Sequence, residues 1–190
     1  MNETDNSTSL AETVRAAAAA RTPLAIHGSG SKHLLTGIIE GVPLDVTSHR
    51  GIVSYEPTEL VITARAGTAL AGIEATLAEK NQMLGFEPPH FGANATLGGT
   101  IACNLSGPRR PYAGSARDFV LGTRIINGKG EVLKFGGQVM KNVAGFDVSR
   151  LMAGSHGTLG VLLEISLKVL PKPAHEITLA FQMGADQAID

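Results

Sequence analysis

Two adjacent glycines, Gly98 and Gly99, open a segment that is otherwise typical of the first turns of a helix. Glycine within a helix costs about 1 kcal/mol relative to alanine, so such a pair indicates that something approaches the backbone more closely than a Cβ would allow. A helix N-terminus also presents unpaired N–H groups and the positive end of the helix dipole. The pair therefore predicts close contact with a phosphate or a flat ring.

Two further glycine-containing segments could contact the same kind of ligand. Residues 28–31 read Gly-Ser-Gly-Ser after a predicted strand, and residues 154–160 contain three glycines. The first segment is not a dinucleotide fingerprint, because the third glycine of that motif would fall at His33, and it also lacks the upstream glycine of a Walker A loop. It is either an ordinary glycine turn or a nest of backbone N–H groups, with two hydroxyls, that could wrap a pyrophosphate.

The number of these loops favours a long ligand. Each loop alone is compatible with an ordinary turn, but three of them in one domain are less easily explained in that way. A nucleotide as long as FAD presents a pyrophosphate, a ribityl chain and an isoalloxazine ring, and so needs several separate backbone surfaces. The three loops together therefore favour a long nucleotide ligand, of which FAD is an example.

The remaining reactive side chains form no recognisable catalytic or metal-binding set. Four histidines fall in predicted loops at a spacing that does not match a metal site: His27, His33, His90 and His156. Cys103 has no basic neighbour in the sequence and is interpreted as a small buried residue rather than a nucleophile. Arg109 and Arg110 are interpreted as a solvated basic loop, with an anion site as the alternative. We predict no metal ion and identify no catalytic base.

The composition limits the compartment and the partners. The 190 residues include 16 basic and 17 acidic side chains, and the net charge of −1 creates no field that would attract nucleic acid or an anionic membrane. The single cysteine cannot form an internal disulfide, which favours a reducing compartment. The apolar run at residues 16–20 is too short for a membrane span or a signal peptide. We expect a cytoplasmic protein whose partners are small molecules or other proteins.

The elements that would position the loops follow from hydrophobic spacing and capping signals. A capping box formed by Ser9 and Glu12 predicts a helix that ends near Arg21. Thr68 is predicted to cap a second helix, which ends near Asn81. Alternating apolar residues and turn residues predict six strands, of which the last two form a hairpin: residues 23–27, 44–47, 52–56, 60–64, 118–127 and 131–135.

Later segments of the chain carry further local signals. Prolines 88 and 89 predict an extended conformation for residues 86–90, because each fixes its own φ and disfavours the helical region for its predecessor. Asp147 is predicted to cap a short helix that runs through Met152. Apolar residues alternate with polar ones over residues 163–169, which predicts a strand with one buried and one wet face.

A pair of prolines near the end of the chain indicates a domain boundary. Residues 171–173 read Pro-Lys-Pro, which is typical of a short rigid linker. A strand at residues 176–182 and the beginning of a helix at residues 185–190 are predicted to follow. We therefore predict one domain at residues 1–173, and at residues 174–190 a linker and the start of a second, truncated domain.

Seven segments together match a known pattern: residues 23–31, 45–61, 98–99, 107–111, 117–122, 141–147 and 154–160. Through them, residues 20–173 resemble the FAD-binding domains of the vanillyl-alcohol oxidase, or PCMH, type. Within that superfamily the resemblance is closest to the FAD-binding subunits of bacterial glycolate oxidases.

The resemblance implies an α+β fold, in which a two-subdomain FAD-binding PCMH-type domain is followed by the start of a truncated cap domain. It implies that the pyrophosphate lies over residues 28–31 and the glycine pair, and that the backbone near residues 157–161 faces the flavin. The residues implied to bind the cofactor are Gly28, Ser29, Gly30, Ser31, Pro88, Thr96, Gly98, Gly99, Thr100, Asn104, Gly114, Ser115, Asp118, Gly157, Gly160 and Val161.

The mode of attachment is also implied. Some relatives attach the flavin through a histidine of the pyrophosphate loop. Ser31 occupies the corresponding place here, and His33 lies two residues further on. We therefore predict non-covalent FAD.

The function implied by the resemblance is that of the FAD-binding subunit of a glycolate oxidase or dehydrogenase complex. A small 2-hydroxy acid would be oxidised, and the electrons would pass to an iron–sulfur subunit in a complex that also holds a second flavoprotein subunit. The cap would supply most of the substrate site, and any membrane association would be peripheral, at the inner face and through partners. The alternatives are a non-catalytic FAD-binding electron-transfer or assembly subunit, and a different flavin oxidoreductase of the same fold.

Overall fold

The computed structural model describes residues 3–37, 39–137 and 145–189. The helices are α1 (Ser7–Ala19), α2 (His33–Thr36), α3 (Leu70–Ala78), α4 (Leu97–Cys103), α5 (Arg110–Ala113), α6 (Ala116–Phe119), α7 (Val148–Leu151) and α8 (Ala185–Ile189). The strands are β1 (Leu24–His27), β2 (Val42–Asp45), β3 (Ile52–Glu56), β4 (Val61–Arg65), β5 (Gln82–Met83), β6 (Val120–Ile126), β7 (Val132–Gly136), β8 (Val161–Lys168) and β9 (Leu170–Pro171). None of the helices in these ranges has the length and apolar character that a membrane crossing needs.

A five-stranded antiparallel sheet is the centre of the fold, with the order β3-β4-β8-β6-β7. Strand β8 lies in the middle and pairs with β4 on one side and β6 on the other. The predicted alternation along β8 is confirmed, because Leu163, Ile165 and Leu167 are fully buried while the polar residues between them are partly exposed. The predicted hairpin β6-β7 is confirmed as well, and β3 and β4, predicted only as two successive strands, also pair in an antiparallel manner.

Two hydrophobic clusters divide the described residues. The larger one joins the sheet to α3 and α4 and includes Leu70, Ile73 and Ile101. The smaller one joins α1, through Leu10, to strand β2 and to the end of the sheet at Val161. Strands β1 and β2 form a separate parallel pair beside the smaller cluster. This mixture of helices and sheets around two cores confirms the predicted α+β class.

Helix α1 begins at Ser7, three residues before the first helical residue that a cap at Ser9 implies. The Asp5 carboxylate accepts a hydrogen bond from the N–H of Ser7 at 2.9 Å, so the first turn is already capped before Ser9. The prediction of a capping box at Ser9 and Glu12 is therefore wrong.

The prediction that Thr68 caps α3 is also wrong. Its hydroxyl accepts a hydrogen bond from the N–H of Gly51 at 2.9 Å and donates one to the carbonyl of Gly51 at 3.1 Å. The N-cap position is Ala69, and the helix ends at Ala78, with Asn81 in the turn beyond it. Thr68 thus ties the end of β4 to the start of β3.

Strand β6 begins later than predicted because its first two expected residues are helical. The carboxylate of Asp118 accepts hydrogen bonds from the N–H and the hydroxyl of Ser115, both at 2.8 Å, and so closes the single turn of α6. A similar pairing supports the predicted cap of α7, where the Asp147 carboxylate accepts from the N–H of Arg150 at 3.0 Å. Strand β2 lies at Val42–Asp45, two residues before its predicted position.

Two segments predicted to be extended are not strands. Within residues 86–90, Glu87 has a φ of +46°, since its N–H turns back to the carbonyl of Leu84. Residues 176–182 are exposed and form no strand, because no other strand among the described residues lies beside them. The helix predicted after them is present as α8.

Candidate functional site

Three glycine-containing segments line one open cleft. They are the β1 loop (residues 28–31), the α4 entrance (residues 96–99) and the β8 loop (residues 155–160). The structure thus brings together the three segments that the sequence singled out separately.

The β1 loop follows strand β1 and packs without room for side chains at its glycines. A Cβ on Gly28 would lie 2.6 Å from the hydroxyl oxygen of Thr96, so this loop touches the α4 entrance directly. Gly30 has a φ of +75°, and a Cβ there would lie 2.6 Å from Nε2 of His33. Both positions therefore require glycine, one because of a close approach and the other also because of its backbone conformation.

Backbone N–H groups of the β1 loop are available to a ligand. Within residues 3–37, 39–137 and 145–189, the N–H groups of Ser29, Gly30 and Ser31 have no acceptor. The N–H of Gly157, across the cleft in the β8 loop, has none either. Unpaired N–H groups that are partly shielded from water favour an anionic or carbonyl-bearing ligand.

The two glycines of the α4 entrance face different neighbours. A Cβ on Gly98 would lie 2.8 Å from the Cβ of Ala66 and 3.0 Å from its carbonyl oxygen, and the Gly98 N–H donates to that oxygen at 2.7 Å. A Cβ on Gly99 would meet only the Thr96 hydroxyl, at 3.2 Å. Position 98 therefore needs glycine because α4 packs against Ala66, directly after β4, whereas glycine at position 99 leaves space in the cleft.

The Thr96 side chain organises the α4 entrance. Its hydroxyl oxygen accepts a hydrogen bond from the N–H of Gly99 at 3.3 Å, which caps α4. Its carbonyl accepts from the hydroxyl of Thr100 at 3.0 Å. Thr96 is thus the residue that joins the cap of α4 to the β1 loop.

The β8 loop is fixed to the other end of α4. The N–H of His156 donates to the carbonyl of Ala102 at 3.0 Å, and the N–H of Gly154 donates to that of Ile101 at 3.0 Å. A Cβ on Gly160 would lie 2.5 Å from the carbonyl oxygen of Ile126, which holds the loop against β6. The N-terminal end of α4 therefore contacts the β1 loop, and its C-terminal end holds the β8 loop.

Nine of the predicted cofactor-binding residues line the cleft: Gly28, Ser29, Gly30, Ser31, Thr96, Gly98, Gly99, Gly157 and Gly160. Seven lie outside its lining: Pro88, Thr100, Asn104, Gly114, Ser115, Asp118 and Val161. Several of the second group have structural partners, since Asn104 accepts from the N–H of Arg117 and Val161 belongs to the smaller cluster. Contact of any of these residues with a cofactor stays a prediction.

The sequence analysis missed a buried cation in the cleft. Lys32 is only 7% exposed, and its Nζ donates to the hydroxyl of Ser31 at 3.3 Å. Burial lowers the pKa of Lys32, and the nearby Cys103 acts in the opposite direction. The available signal was its position directly after the glycine loop.

Cys103 has a basic neighbour that its sequence position does not reveal. It lies at the end of α4 and lines the cleft, half-buried, near Lys32. Burial raises the pKa of the Cys103 thiol, although Lys32 acts against this rise. The thiol is therefore protonated at neutral pH, which agrees with its interpretation as a small packed residue.

The cleft also contains three of the loop histidines, His27, His33 and His156. Within the described ranges, no group of three or more His, Cys, Asp and Glu side chains is arranged to hold a metal ion. The apolar part of the lining comes from Ile26, Val46 and Leu162. Unpaired N–H groups, a buried cation and an apolar wall are together suited to a ligand with charged and flat aromatic parts, as FAD is.

An α+β domain in which three backbone loops surround one cleft of this kind is a nucleotide-cofactor-binding domain. The sequence model of the FAD binding domain family matches residues 3–136. The chain belongs to this family, and its cofactor is FAD.

Individual relatives agree with this membership. Glycolate oxidase subunit GlcE of Escherichia coli (strain K12) is 58% identical over 189 residues, which are 100% of this chain and 54% of that protein. D-lactate dehydrogenase of Anaerostipes hadrus is 36% identical over 140 residues, which are 73% of this chain and 29% of that protein. The chain therefore spans about half of the first relative's length and less than a third of the second's.

A solved structure shows the same fold at low sequence identity. An alkyldihydroxyacetonephosphate synthase superposes with a TM-score of 0.68 at 22% identity, over 87% of this chain and 30% of that one. The match includes most of the described elements and confirms the architecture expected from the sequence.

Proposed function

We propose that this chain is the FAD-holding part of an enzyme subunit that oxidises glycolate or a similar small 2-hydroxy acid. Bound FAD accepts the hydride in such a reaction, and the protein contributes binding, orientation and electrostatics. The observation that carries the proposal is the convergence of three backbone loops on one cleft, in a chain that is 58% identical to a glycolate oxidase subunit.

The proposed site follows the geometry of the cleft. The β1 loop holds the pyrophosphate with its unpaired N–H groups, Gly99 leaves space for the cofactor, and the β8 loop lies beside the flavin. FAD is held without a covalent bond.

The domain that holds FAD is residues 1–173, and residues 174–190 form a linker and the start of a further domain. The exposure of every described residue from 171 onwards supports this division.

The proposed partners follow from the relatives' names. Lactate and glycolate are both small 2-hydroxy acids, and the word subunit supports a multisubunit enzyme. We propose that electrons leave the flavin for an iron–sulfur subunit, in a complex that also holds a second flavoprotein subunit. The complex acts in the cytoplasm, in solution or at the inner face of the membrane through its partners.

The test uses the protein purified together with its partner subunits. Its absorption spectrum is recorded first, and glycolate is then added without and with an artificial electron acceptor. Flavin bands that bleach with glycolate and recover with the acceptor are expected. Absence of flavin bands would contradict the proposed role in holding FAD. If D-lactate or 2-hydroxyglutarate bleached the flavin and glycolate did not, glycolate would be ruled out as the substrate.

The same experiment separates catalysis from a supporting role. A variant of this subunit that no longer binds FAD is compared with wild type in the complete complex. Loss of glycolate oxidation with retention of the second flavoprotein's own bleaching would indicate an electron-transfer or assembly subunit. Loss of glycolate-dependent bleaching altogether is expected if this subunit's flavin receives the hydride.

A further inference from the structure

A buried lysine in the cleft has no acidic partner. Lys32 is 7% exposed, and no carboxylate among the described residues lies within ion-pair distance of its Nζ. The hydrogen bond that Nζ makes within the described residues goes to a neutral hydroxyl, that of Ser31. The nearby Cys103 does not compensate the charge at neutral pH, because burial raises the pKa of its thiol and the thiol stays protonated. The ammonium charge is therefore uncompensated within the described part of the chain.

An uncompensated buried charge is costly to a folded protein. Removing a charge from water costs several kcal/mol even after relaxation, unless an opposite charge or several hydrogen bonds replace the water. A lysine that only packed against the cleft would be better replaced by an apolar residue of similar length. The position of the charge in an open cleft indicates that an anionic ligand supplies the missing partner.

The surrounding donors identify the class of anion. Lys32 directly follows the β1 loop, where the N–H groups of Ser29, Gly30 and Ser31 have no acceptor among the described residues. Three N–H groups, a hydroxyl and an ammonium group exceed what a single carboxylate accepts, whereas a diphosphate has enough oxygens and charge for all of them. The donor set thus favours phosphoryl oxygens over the carboxylate of a hydroxy acid.

We propose that Lys32, which directly follows the β1 loop, binds the diphosphate of FAD and neutralises part of its charge. This inference rests on the proposed cofactor site, and adds to it a charged residue that the backbone loops alone do not supply. Lysine binds phosphate as a point charge, so it tolerates the small adjustments of a flexible diphosphate.

The experiment compares Lys32→Met with Lys129→Met, which removes an exposed lysine from the β6-β7 turn. Dissociation constants for FAD, ADP and riboflavin are measured with the purified protein by flavin fluorescence and calorimetry. In Lys32→Met the constants for FAD and ADP are expected to rise by about 30-fold or more, as for truncation of one partner of a buried charge pair. Riboflavin, which has no phosphate, is expected to bind as to wild type, and Lys129→Met is expected to match wild type throughout.

Stability supplies a readout that a purely structural lysine would not produce. Without cofactor, Lys32→Met is expected to unfold at the same temperature as wild type or a higher one, because it removes an unpaired buried charge. FAD affinity of wild type is expected to fall as the pH rises through the lowered pKa of Lys32, and this dependence should vanish in Lys32→Met.

Four results would overturn the inference in different ways. An equal loss for FAD and riboflavin would place Lys32 at the flavin ring, and unchanged FAD affinity with weaker glycolate binding would assign it to the substrate carboxylate. Loss of cofactor-free stability in step with FAD affinity would make Lys32 structural. Wild-type protein that binds neither FAD nor ADP would overturn the cofactor site itself.

Discussion

Gly28 packs so tightly against Thr96 that a Cβ added to it would lie 2.6 Å from the Thr96 hydroxyl oxygen. The same oxygen accepts the N–H of Gly99 and so caps α4. One side chain therefore sets the spacing between two walls of the cleft. A change at Gly28 must either push the walls apart or turn the Thr96 hydroxyl away from its capping position.

Gly28→Ala is expected to weaken FAD binding by about tenfold, a loss of about 1.4 kcal/mol, together with a loss of stability of about 1–3 kcal/mol from overpacking. FAD titration and thermal unfolding measure the two effects. Gly128→Ala is the control, because a Cβ at that position meets nothing within 4 Å. Adding Thr96→Ala to Gly28→Ala removes the clash and should restore part of the affinity; wild-type affinity in Gly28→Ala alone would contradict the tight contact.

The adjacent glycines at the α4 entrance are expected to separate stability from binding. Gly98→Ala forces a methyl group against Ala66 and should lower the free energy of unfolding by about 1–3 kcal/mol. Gly99→Ala meets only a hydroxyl and should leave stability unchanged or raise it by up to about 1 kcal/mol, while its methyl group in the cleft weakens FAD binding. Denaturant unfolding and FAD titration of both variants check this. If Gly98→Ala and Gly99→Ala changed the free energy of unfolding and the FAD affinity by the same amounts, the proposed division of roles between the two glycines would be wrong.

Stability is expected to fall below about pH 6.5, the usual pKa of histidine, because of His49. The ring is fully buried, and its Nδ1 accepts the N–H of Asn6 at 3.0 Å, as a neutral ring does. Burial lowers the pKa of His49, with Asp5 acting in the opposite direction. The unfolded chain then takes up a proton at a higher pH than the folded protein, so the free energy of unfolding decreases as the pH falls toward the folded pKa.

Thermal unfolding of His49→Asn between pH 5 and pH 8 tests the role of this histidine. The variant is expected to be less stable than wild type at pH 8, because the buried ring is lost, but to depend less on pH below about 6.5. His175→Asn removes an exposed histidine and should keep the wild-type pH profile. A His49→Asn profile parallel to that of wild type would assign the pH dependence to other groups.

The flavin is expected to leave the protein on denaturation. Ser31 stands where some relatives have the attaching histidine, and Nε2 of His33 lies toward Gly30 within the loop itself. Acid precipitation should therefore give a colourless pellet and a yellow supernatant, with or without the substitution His33→Ala. A yellow wild-type pellet would contradict non-covalent binding, and its loss in His33→Ala would identify the attachment point.

Local signals in the sequence were sufficient for much of the sheet. The hairpins have turn residues between alternating strands, and the alternation over residues 163–169 reports burial directly. Capping was less predictable because a polar side chain can choose among several backbone groups. Thr68 bonds Gly51 rather than the helix next to it, and that competition involves residues far apart in the chain.

The site was predictable in its parts but not in its organisation. The three loops are recognisable by their glycines, yet identical residue types have different roles once packed, as Gly98 on Ala66 and Gly99 in the cleft demonstrate. The sequence places Lys32 directly after a glycine loop, but it does not show that the side chain is buried without an acidic partner. These differences depend on tertiary packing, because the loops come together only when the sheet around β8 and helix α4 are in place.

The central position of β8 also has a consequence during synthesis. The ribosome delivers both hairpins before residues 161–168, and β4 and β6 are joined through β8 alone. Each hairpin must therefore wait in the nascent chain with an open edge, which is a template for aggregation. A shortened version that ends at residue 136, where the family match ends, would keep both hairpins and lack the strand between them. The span that the family model matches is thus smaller than the span that completes the central sheet.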